Sequence, residues 1–280
     1  MMKNILTFDI EEWFHILDST AVPPLEAWDS LEPRLELGLS KILALLDKSG
    51  VKATFFWLGW VAERYPHLVR KCHALGHEIA SHGYAHLLVY QVGREKFRQD
   101  IRRGKEILEA ILGEPIQGFR APGFSITDKT PWAYDEIRQA GYTYDSSIFP
   151  TSRGHGGIPS APLAPFAQET KYGALIEFPM SMVNIFNRRI SMFGGGYFRL
   201  FPYKMIHWGI SRLNRNGLPA IIYLHPRELD PDHPRLRLSL LRYFKCYVNL
   251  KTTIPKLSEV SRDFNFFTMG EAAIFIRNET

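Results

Sequence analysis

Short apolar segments alternate with helical segments along most of the chain, and this alternation limits the fold more than any other feature. Runs rich in β-branched and aromatic residues predict strands at 5–8, 51–58, 78–81, 118–120, 142–145 and 220–224. Apolar residues at helical spacing predict helices at 35–46, 66–75, 95–112, 132–140 and 203–216. Because strands and helices alternate, we expect an α/β fold whose parallel sheet closes into a barrel.

Two irregular segments interrupt this alternation. Residues 149–168 are rich in Pro and Gly, which predicts an ordered loop over the functional site rather than a domain boundary. Residues 194–199 begin with three glycines and predict a second irregular segment. A helix at 255–263 and a strand at 266–269 complete the prediction. With 280 residues and 45% hydrophobic content, the chain is expected to fold as one domain.

The charge balance does not predict binding to nucleic acid. The net charge is +5, and the sequence has no block of Lys and Arg and no repeat of basic and aromatic residues. Six basic residues near the C-terminus have no acidic residue among them: Arg235, Arg237, Arg242, Lys245, Lys251 and Lys256. They indicate either a solvated face or contact with an anionic membrane surface, an acidic glycan or a lipid-linked glycan.

The cellular location is predicted from what the sequence lacks. Two cysteines, Cys72 and Cys246, are too few for a disulfide framework, which favours a reducing compartment. The first residues lead into a strand without an apolar signal segment, and no apolar run is long enough to span a bilayer. We therefore expect a cytoplasmic protein, with the inner membrane surface as the alternative location. The oligomeric state stays open.

Two histidines four residues apart predict a metal site. His82 and His86 follow the strand at 78–81, and side chains at this spacing meet on one face of a helical turn. Both can then reach one divalent ion, with Zn²⁺ as the first choice, at about 2.0–2.1 Å. Two histidines, one carboxylate and an open position are typical of a catalytic metal site. A zinc-protease helix is excluded, because its second histidine would stand at Ser81.

The first strand ends in three carboxylates. Strand alternation places Asp9 and Glu11 on one side, where they can share a site, and leaves Glu12 on the other side as a solvated loop acid. At one metal, two carboxylates would divide the work, since one binds the ion and the other takes a proton from water. We choose Asp9 as the base and Glu11 as the ligand, and keep the reverse assignment open.

Three further polar residues stand at the ends of predicted strands. Arg120, Asp145 and His225 share this position with Asp9, and the C-terminal edge of a parallel barrel holds its active site. Arg120 is either a buried ion-pair partner or the group that keeps Asp9 ionised and oriented. His225 is either structural or catalytic. A carboxylate partner such as Asp145 would favour an imidazolium that can donate a proton.

Five ordered motifs give the chain a family resemblance. They are Thr7-Phe8-Asp9, Ser81-His82-Gly83-Tyr84-Ala85-His86, Arg120-Ala121-Pro122-Gly123-Phe124, Tyr144-Asp145-Ser146-Ser147 and Leu224-His225-Pro226. In order and spacing they resemble the motifs of the polysaccharide deacetylase family, the NodB-like carbohydrate esterases. Two later segments resemble the exopolysaccharide-locus branch of that family, namely His225-Pro226-Arg227-Glu228 and Tyr247-Val248-Asn249-Leu250.

The resemblance implies a fold and a reaction. The fold is an irregular (β/α)₇ barrel made by a single NodB-homology domain over residues 1–280, with a family-specific C-terminal extension from about residue 227. The reaction is the metal-dependent removal of N-acetyl groups from a sugar or polysaccharide, with an N-acetylated glycan as partner. Two other functions stay open: hydrolysis of a formamido sugar or a ureide on the same barrel, and glycan binding without catalysis.

The resemblance also implies a role for each site residue. The roles are general base for Asp9, general acid for His225, support of the base for Arg120, support of the acid for Asp145, and metal binding for His82 and His86. Many relatives have two adjacent aspartates in the first motif. This chain has Asp9-Ile10-Glu11 there, so the third ligand moves to Glu11. The loop at 152–157 also lacks a histidine-aspartate pair associated with relatives.

Overall fold

A curled sheet of mostly parallel strands forms the centre of the protein, in a computed structural model that describes residues 2–17, 21–152 and 156–279. The strands are β1 (Lys3–Ile10), β2 (Thr54–Trp57), β3 (Glu78–Ser81), β4 (Gly118–Phe119), β5 (Tyr144–Asp145), β6 (Phe166–Gln168), β7 (Leu175–Glu177), β8 (Val183–Ile185), β9 (Arg188–Ile190), β10 (Ile221–Leu224) and β11 (Asn265–Phe267). The helices are α1 (Leu35–Ser49), α2 (Gly59–Arg64), α3 (Pro66–Ala74), α4 (Val89–Val92), α5 (Arg94–Leu112), α6 (Trp132–Gln139), α7 (Gly195–Leu200), α8 (Tyr203–Arg215), α9 (Pro226–Leu229), α10 (Leu240–Tyr247), α11 (Thr253–Asp263) and α12 (Met269–Glu279). Within the described ranges, no helix combines the length and the apolar character that crossing a membrane requires.

Seven parallel strands form the main path of the sheet, in the order β10-β1-β2-β3-β4-β5-β7, and β11 also runs parallel to β1. Strand β6 extends the β7 edge in the antiparallel direction, β11 pairs with the first half of β1, and β8 and β9 form a separate hairpin. Among the described residues β7 and β10 share no ladder. Instead, Ser181 Oγ accepts the N–H of Ile221 at 2.8 Å and donates to the carbonyl of Pro219 at 3.3 Å. The predicted parallel α/β barrel of seven strands is confirmed, and its irregularity is this seam.

Strand β1 occupies the middle of the sheet because its sequence suits burial on both faces. Ile5, Leu6, Phe8 and Ile10 are fully buried, as expected for a parallel strand with packed layers on either side. Its neighbours are β10 on one side and β2 on the other. The polar residues that follow Phe8 therefore emerge between neighbouring strand ends, at the edge where a parallel barrel binds its ligands.

Glu12 is buried, so the prediction of a solvated loop acid is wrong. Its carboxylate accepts the backbone N–H groups of Arg34 and Leu35 at 3.1 Å and that of Trp13 at 3.4 Å. The first turn of a helix has N–H groups without helical partners, and it favours a negative charge. Glu12 supplies both a hydrogen-bond acceptor and a negative charge at the start of α1, and so attaches the loop after β1 to that helix. Burial raises the pKa of Glu12 even though these bonds favour the carboxylate.

The irregular segments differ in part from the prediction. Residues 195–200 form α7, and α12 follows the last strand. The three glycines mask α7 because glycine is a weak helix former, yet a Cβ at Gly196 would lie only 2.6 Å from the carbonyl oxygen of Lys245. Within the segment 149–168, residues 166–168 form β6. Residues 153–155, which include part of the loop said to lack a histidine-aspartate pair, lie outside the described residues.

Candidate active site

Polar side chains from three strand ends meet at the C-terminal edge of the sheet. Asp9 and Glu11 come from the end of β1, His82 follows β3, and His225 follows β10. The ligand atoms of Glu11, His82 and His86 lie within 4.8 Å of one another, and so do those of Asp9, Glu11 and His225. The structure therefore brings these five predicted residues into one cluster, with Glu11 belonging to both groups.

The two histidines meet through an irregular turn, so the predicted helical turn is wrong. Gly83 and His86 have left-handed backbones, with φ of 75° and 55°. Between them, the N–H groups of Tyr84 and Ala85 both donate at 2.9 Å to the carboxylate of Asp100 on α5. A Cβ at position 83 would lie 2.5 Å from Asp100 Oδ2, so this turn requires glycine. This irregular turn directs both imidazoles toward Glu11, although the segment is not helical.

The ligand atoms are arranged as a divalent metal would require. Glu11 Oε1 lies 3.2 Å from His82 Nε2 and 2.9 Å from His86 Nε2. Two atoms bound to one zinc ion at about 2.0–2.1 Å in a tetrahedron are roughly 3.3 Å apart, so these spacings fit one ion. His82 Nδ1 donates to the carbonyl of Arg120 at 2.7 Å, which leaves the Nε2 lone pair facing the site. The three side chains thus fit a carboxylate-histidine-histidine metal site.

The charges of the cluster favour an ionised Glu11. Burial would raise the pKa of Glu11, but His86 and His225 outweigh it and hold the pKa well below its usual range. Burial would likewise lower the pKa of His82, but Asp9 and Glu11 outweigh it and raise that pKa. Arg227 Nη1 donates to the second oxygen of Glu11 at 3.0 Å, so Oε1 alone points at the imidazoles.

Asp9 is held by a buried arginine. Arg120 is fully buried and its Nη1 donates to Asp9 Oδ1 at 2.7 Å and to Thr7 Oγ1 at 2.8 Å. The guanidinium lies 4.0 Å from the centre of the Phe56 ring, which fixes its plane. Asp9 Oδ2 lies 3.9 Å from His225 Nε2 and faces the cluster. Of the two alternatives predicted for Arg120, the structure shows the buried ion pair, and the partner in that pair is Asp9.

His225 pairs with Glu228, so the predicted pairing with Asp145 is wrong. His225 Nδ1 donates to Glu228 Oε1 at 2.7 Å. Glu228 also forms a buried ion pair with Arg199, whose Nε lies 2.9 Å from Glu228 Oε2. Burial would raise the pKa of Glu228, but Arg199 and His225 outweigh it and lower that pKa. The pairing arises because Pro226 starts a short helix that turns residue 228 back toward residue 225.

Asp145 instead forms a carboxyl pair with Glu177. The two residues are opposite each other on β5 and β7, and both are fully buried. Asp145 Oδ2 and Glu177 Oε2 have no hydrogen-bond donor among the described residues. Ser147 Oγ donates to the other oxygen of Asp145 at 2.6 Å, and the Ile148 N–H donates to Glu177 at 3.0 Å. Burial raises the pKa of both carboxyls, that of Asp145 to about 6, and a raised pKa in two neighbouring buried carboxyls favours a proton held between them.

Three residues of the site were missed by the sequence analysis. Glu228 and Arg227 stand within the segment that follows β10, and the signal was the spacing of three residues between His225 and Glu228. His15 is buried against Trp28, its ring lies 5.6 Å from that of His86, and its Nδ1 accepts the Glu12 N–H at 3.2 Å. Nothing in the sequence marks His15, because its place depends on how the loop after β1 folds.

A cleft of about 1050 Å³ opens from this cluster. Its lining includes Asp9, Glu11, His86 and His225 of the cluster, together with residues of α7 and α10. The volume is at the upper limit of about 300–1,000 Å³ for small-molecule sites. Phe124 and Tyr197 offer aromatic surface in the wall, of the kind on which sugar rings stack. The cleft can therefore admit more than the reacting group alone.

Family models match most of the chain in two parts. The model described as "Polysaccharide deacetylase" matches residues 32–144, which include His82, His86 and Arg120. The model described as "Domain of unknown function (DUF3473)" matches residues 146–273, which include His225 and Glu228. Asp145 lies between the two matched segments, and the cluster draws residues from both of them as well as from the end of β1.

Curated relatives and one solved structure agree with the first model. A peptidoglycan-N-acetylglucosamine deacetylase of Bacillus cereus is 36% identical over 102 residues, which are 36% of this chain and 46% of the relative. A chitooligosaccharide deacetylase of Azorhizobium caulinodans is 32% identical over 82 residues, 29% of this chain and 39% of the relative. The matches thus span less than half of either relative.

The crystal structure of a Mycobacterium smegmatis protein assigned to the polysaccharide deacetylases has the same fold over the whole length. It superposes with a TM-score of 0.64 and 20% identity, covering 99% of this chain and 91% of the other. The five ordered motifs, the seven-stranded barrel and the matched family model agree with one another. Residues 32–144 of the chain match the polysaccharide deacetylase family, and the chain as a whole has the fold of the Mycobacterium smegmatis protein.

Proposed function

We propose that the protein is a metal-dependent hydrolase that removes N-acetyl groups from a sugar or polysaccharide. The observation that carries the proposal is the contact of Glu11 Oε1 with both His82 Nε2 and His86 Nε2, beside Asp9 and His225. Two relatives bear the names of deacetylases that act on N-acetylated glycans. A divalent ion held by Glu11, His82 and His86, which we propose to be zinc, would supply Lewis-acid polarisation of the amide carbonyl.

Asp9 and His225 divide the proton transfers. Asp9 Oδ2 takes a proton from the water whose oxygen attacks the amide carbon. His225 Nε2 gives a proton to the amide nitrogen as the carbon-nitrogen bond breaks, which releases acetate and an amine. Arg120 keeps Asp9 oriented by occupying Oδ1, and Glu228 stabilises the imidazolium from the opposite side of the His225 ring.

The hydrogen bonds support Asp9 as base and Glu11 as ligand. Arg120 occupies one oxygen of Asp9 and leaves Oδ2 facing the cluster. Arg227 occupies one oxygen of Glu11 and leaves Oε1 against both imidazoles. The reverse assignment would require Asp9 to reach His82 and His86 in place of Glu11. The longer side chain of Glu11 is therefore the one placed to bind the ion.

The substrate we propose is a glycan of exopolysaccharide or cell-surface metabolism, following the branch that the C-terminal motifs resemble. A cleft of about 1050 Å³ suits several linked sugars better than one. We also propose that the chain is one NodB-homology domain, in which residues from about 227 form a family-specific extension. Glu228 makes this extension part of the site.

Acetate release tests the proposal and its rivals. The purified chain, loaded with Zn²⁺, is incubated with N-acetylglucosamine oligomers, an N-formyl sugar and a ureide. We expect acetate from the oligomers, and loss of His225 (His225→Ala) should reduce the rate about 10²–10⁴-fold with bound metal unchanged. Formate or ammonia as the only product would assign the activity to the formamido or ureide class. Glycan binding without any product would leave a non-catalytic module.

A further inference from the structure

Helix α10 exposes large apolar side chains beside the cleft. Leu240 is 91% exposed, Leu241 is 67% exposed and Phe244 is 51% exposed. Globular proteins rarely leave a group of large apolar side chains this open unless the surface binds something. Leu241 and Phe244 also line the cleft. The apolar surface of α10 is therefore continuous with the mouth of the site.

The position of α10 is fixed by the body of the protein. Arg199 of α7 is buried and donates to the carbonyl of Cys246 at 2.8 Å and to that of Lys245 at 3.0 Å. Gly196 lets the two helices approach closely, because a Cβ there would lie 2.6 Å from the Lys245 carbonyl oxygen. Tyr247 packs inward with Leu250, which leaves the opposite face of α10 turned outward. The exposed apolar face therefore belongs to a helix that is packed against the rest of the protein.

Basic residues flank this face in the sequence. From residue 233 to residue 258 the chain has six basic residues and no Asp or Glu. Arg237 and Lys245 are exposed, whereas Lys256 is turned inward and donates to three backbone carbonyls near the end of α7. A helix with an exposed apolar face and basic flanks is typical of proteins that lie on an anionic bilayer surface.

We propose that α10 docks on an anionic lipid bilayer. Leu240, Leu241 and Phe244 enter the headgroup region, and the flanking cations contact lipid phosphates. The mouth of the cleft then faces the bilayer. A second copy of the chain fits this face less well, because a symmetric contact would place the same basic residues against themselves. The docking goes beyond the proposed hydrolysis and does not depend on it.

Sedimentation with lipid vesicles tests the docking. The full chain is mixed with vesicles of phosphatidylcholine alone or with about one third phosphatidylglycerol, at low and high salt. We expect binding only to the anionic vesicles, weakened by salt, and about tenfold weaker for Leu240→Glu and for Arg237→Glu. Two variants serve as matched controls. Phe275→Glu changes an apolar residue of α12 that is 61% exposed, and Lys48→Glu changes a basic residue at the end of α1. Both controls should bind like the original chain.

Three results would overturn the docking. They are no binding of the original chain to anionic vesicles, equal losses in the control variants, and a concentration-dependent dimer that Leu240→Glu dissociates, which would make a second copy the occupant. Leu240 lies outside the cleft lining, so hydrolysis of a short free oligosaccharide by Leu240→Glu should match the original chain. The vesicle assay therefore tests the docking, and the hydrolysis assay tests the proposed function, independently of each other.

Discussion

His225 and Glu228, three residues apart in the chain, form a buried hydrogen-bonded pair in which the imidazole Nδ1 donates to Oε1 at 2.7 Å. Arg199 Nε lies 2.9 Å from the other carboxylate oxygen and forms a buried ion pair with Glu228. The Nε2 of His225 is left to face Asp9 and Glu11, at 3.9 Å from each. Glu228 therefore orients the His225 ring so that Nε2 faces Asp9 and Glu11, as the proposed role of His225 as general acid requires.

Removing the charge of Glu228 should slow the proton transfer. In Glu228→Gln the amide oxygen can still accept from Nδ1, but the carboxylate that stabilises the imidazolium is gone. We expect kcat to fall about 10²-fold, at the lower end of general-acid effects, with KM and bound metal unchanged. Steady-state kinetics on an N-acetylated oligosaccharide measure both constants.

Asp145→Asn is the matched comparison for this variant. Asp145 was the partner predicted from sequence, but it contacts Ser147 and Glu177 instead. The kcat of Asp145→Asn should therefore fall much less than that of Glu228→Gln. Equal losses of kcat in the two variants would return Asp145 to the role that the family resemblance implies.

The sequence predicts the cluster well because strand ends in a parallel barrel converge whatever the details of the loops. Asp9 and Glu11 could be placed on one side from alternation alone, and Arg120 could be placed beside Asp9. The pairing of His225 with Glu228 could not be predicted from the sequence, because it depends on the short helix that Pro226 starts. The helical turn at His82 and His86 was also wrong, since left-handed residues in the turn produce the same convergence.

Burial that depends on elements distant in the sequence could not be predicted either. Glu12 looks like a surface acid beside Asp9 and Glu11, and only the position of α1 turns it into a buried helix cap. Helix α10 has too short an apolar stripe to be predicted as a helix. These are tertiary effects, which local pattern and propensity do not encode.

The stability of the protein should fall as pH rises because of Asp145 and Glu177. Burial raises both pKa values in the folded state, that of Asp145 to about 6, above its usual value of 3.8. Between about pH 4 and 6, the folded chain therefore binds more protons at Asp145 than the unfolded chain does, and the raised pKa of Glu177 acts in the same direction. Each rise in pH through this range therefore lowers the free energy of unfolding. Thermal unfolding from pH 5 to pH 8 measures the slope.

Glu177→Gln should flatten this dependence. The amide can donate to Asp145 without a bound proton, so the variant should have a Tm a few degrees above that of the original chain at pH 8, with a smaller difference at pH 5. The exposed Glu106→Gln serves as the control and should leave the curve parallel to the original. A Glu177→Gln curve that also runs parallel would show that the carboxyl pair does not retain a proton.

Glu12→Ala should destabilise the protein without affecting the chemistry directly. It leaves the N–H groups of Arg34 and Leu35 at the start of α1 without the carboxylate that they now contact. The expected loss is about 1–3 kcal/mol in the free energy of unfolding, measured with denaturant. Glu26→Ala, at an exposed position nearby, should change that free energy by less than about 0.5 kcal/mol. Equal effects would mean that Glu12 does not act as the cap.

Asp9→Asn should separate catalysis from metal binding. The amide keeps the shape of the side chain and can still contact Arg120, but it cannot take a proton. We expect the rate of acetate release to fall about 10²–10⁴-fold while the bound metal stays unchanged. A variant that loses both the metal and the rate would favour the reverse assignment, in which Asp9 is the ligand.

Metal content, measured by mass spectrometry after dialysis against dilute Zn²⁺, decides whether Glu11, His82 and His86 share an ion. The original chain and Asp9→Asn should each retain about one ion per chain, and Glu11→Gln and His82→Ala should retain almost none. An original chain without bound metal, or variants at Glu11 and His82 that keep a full ion, would contradict the assignment of these side chains to a metal site.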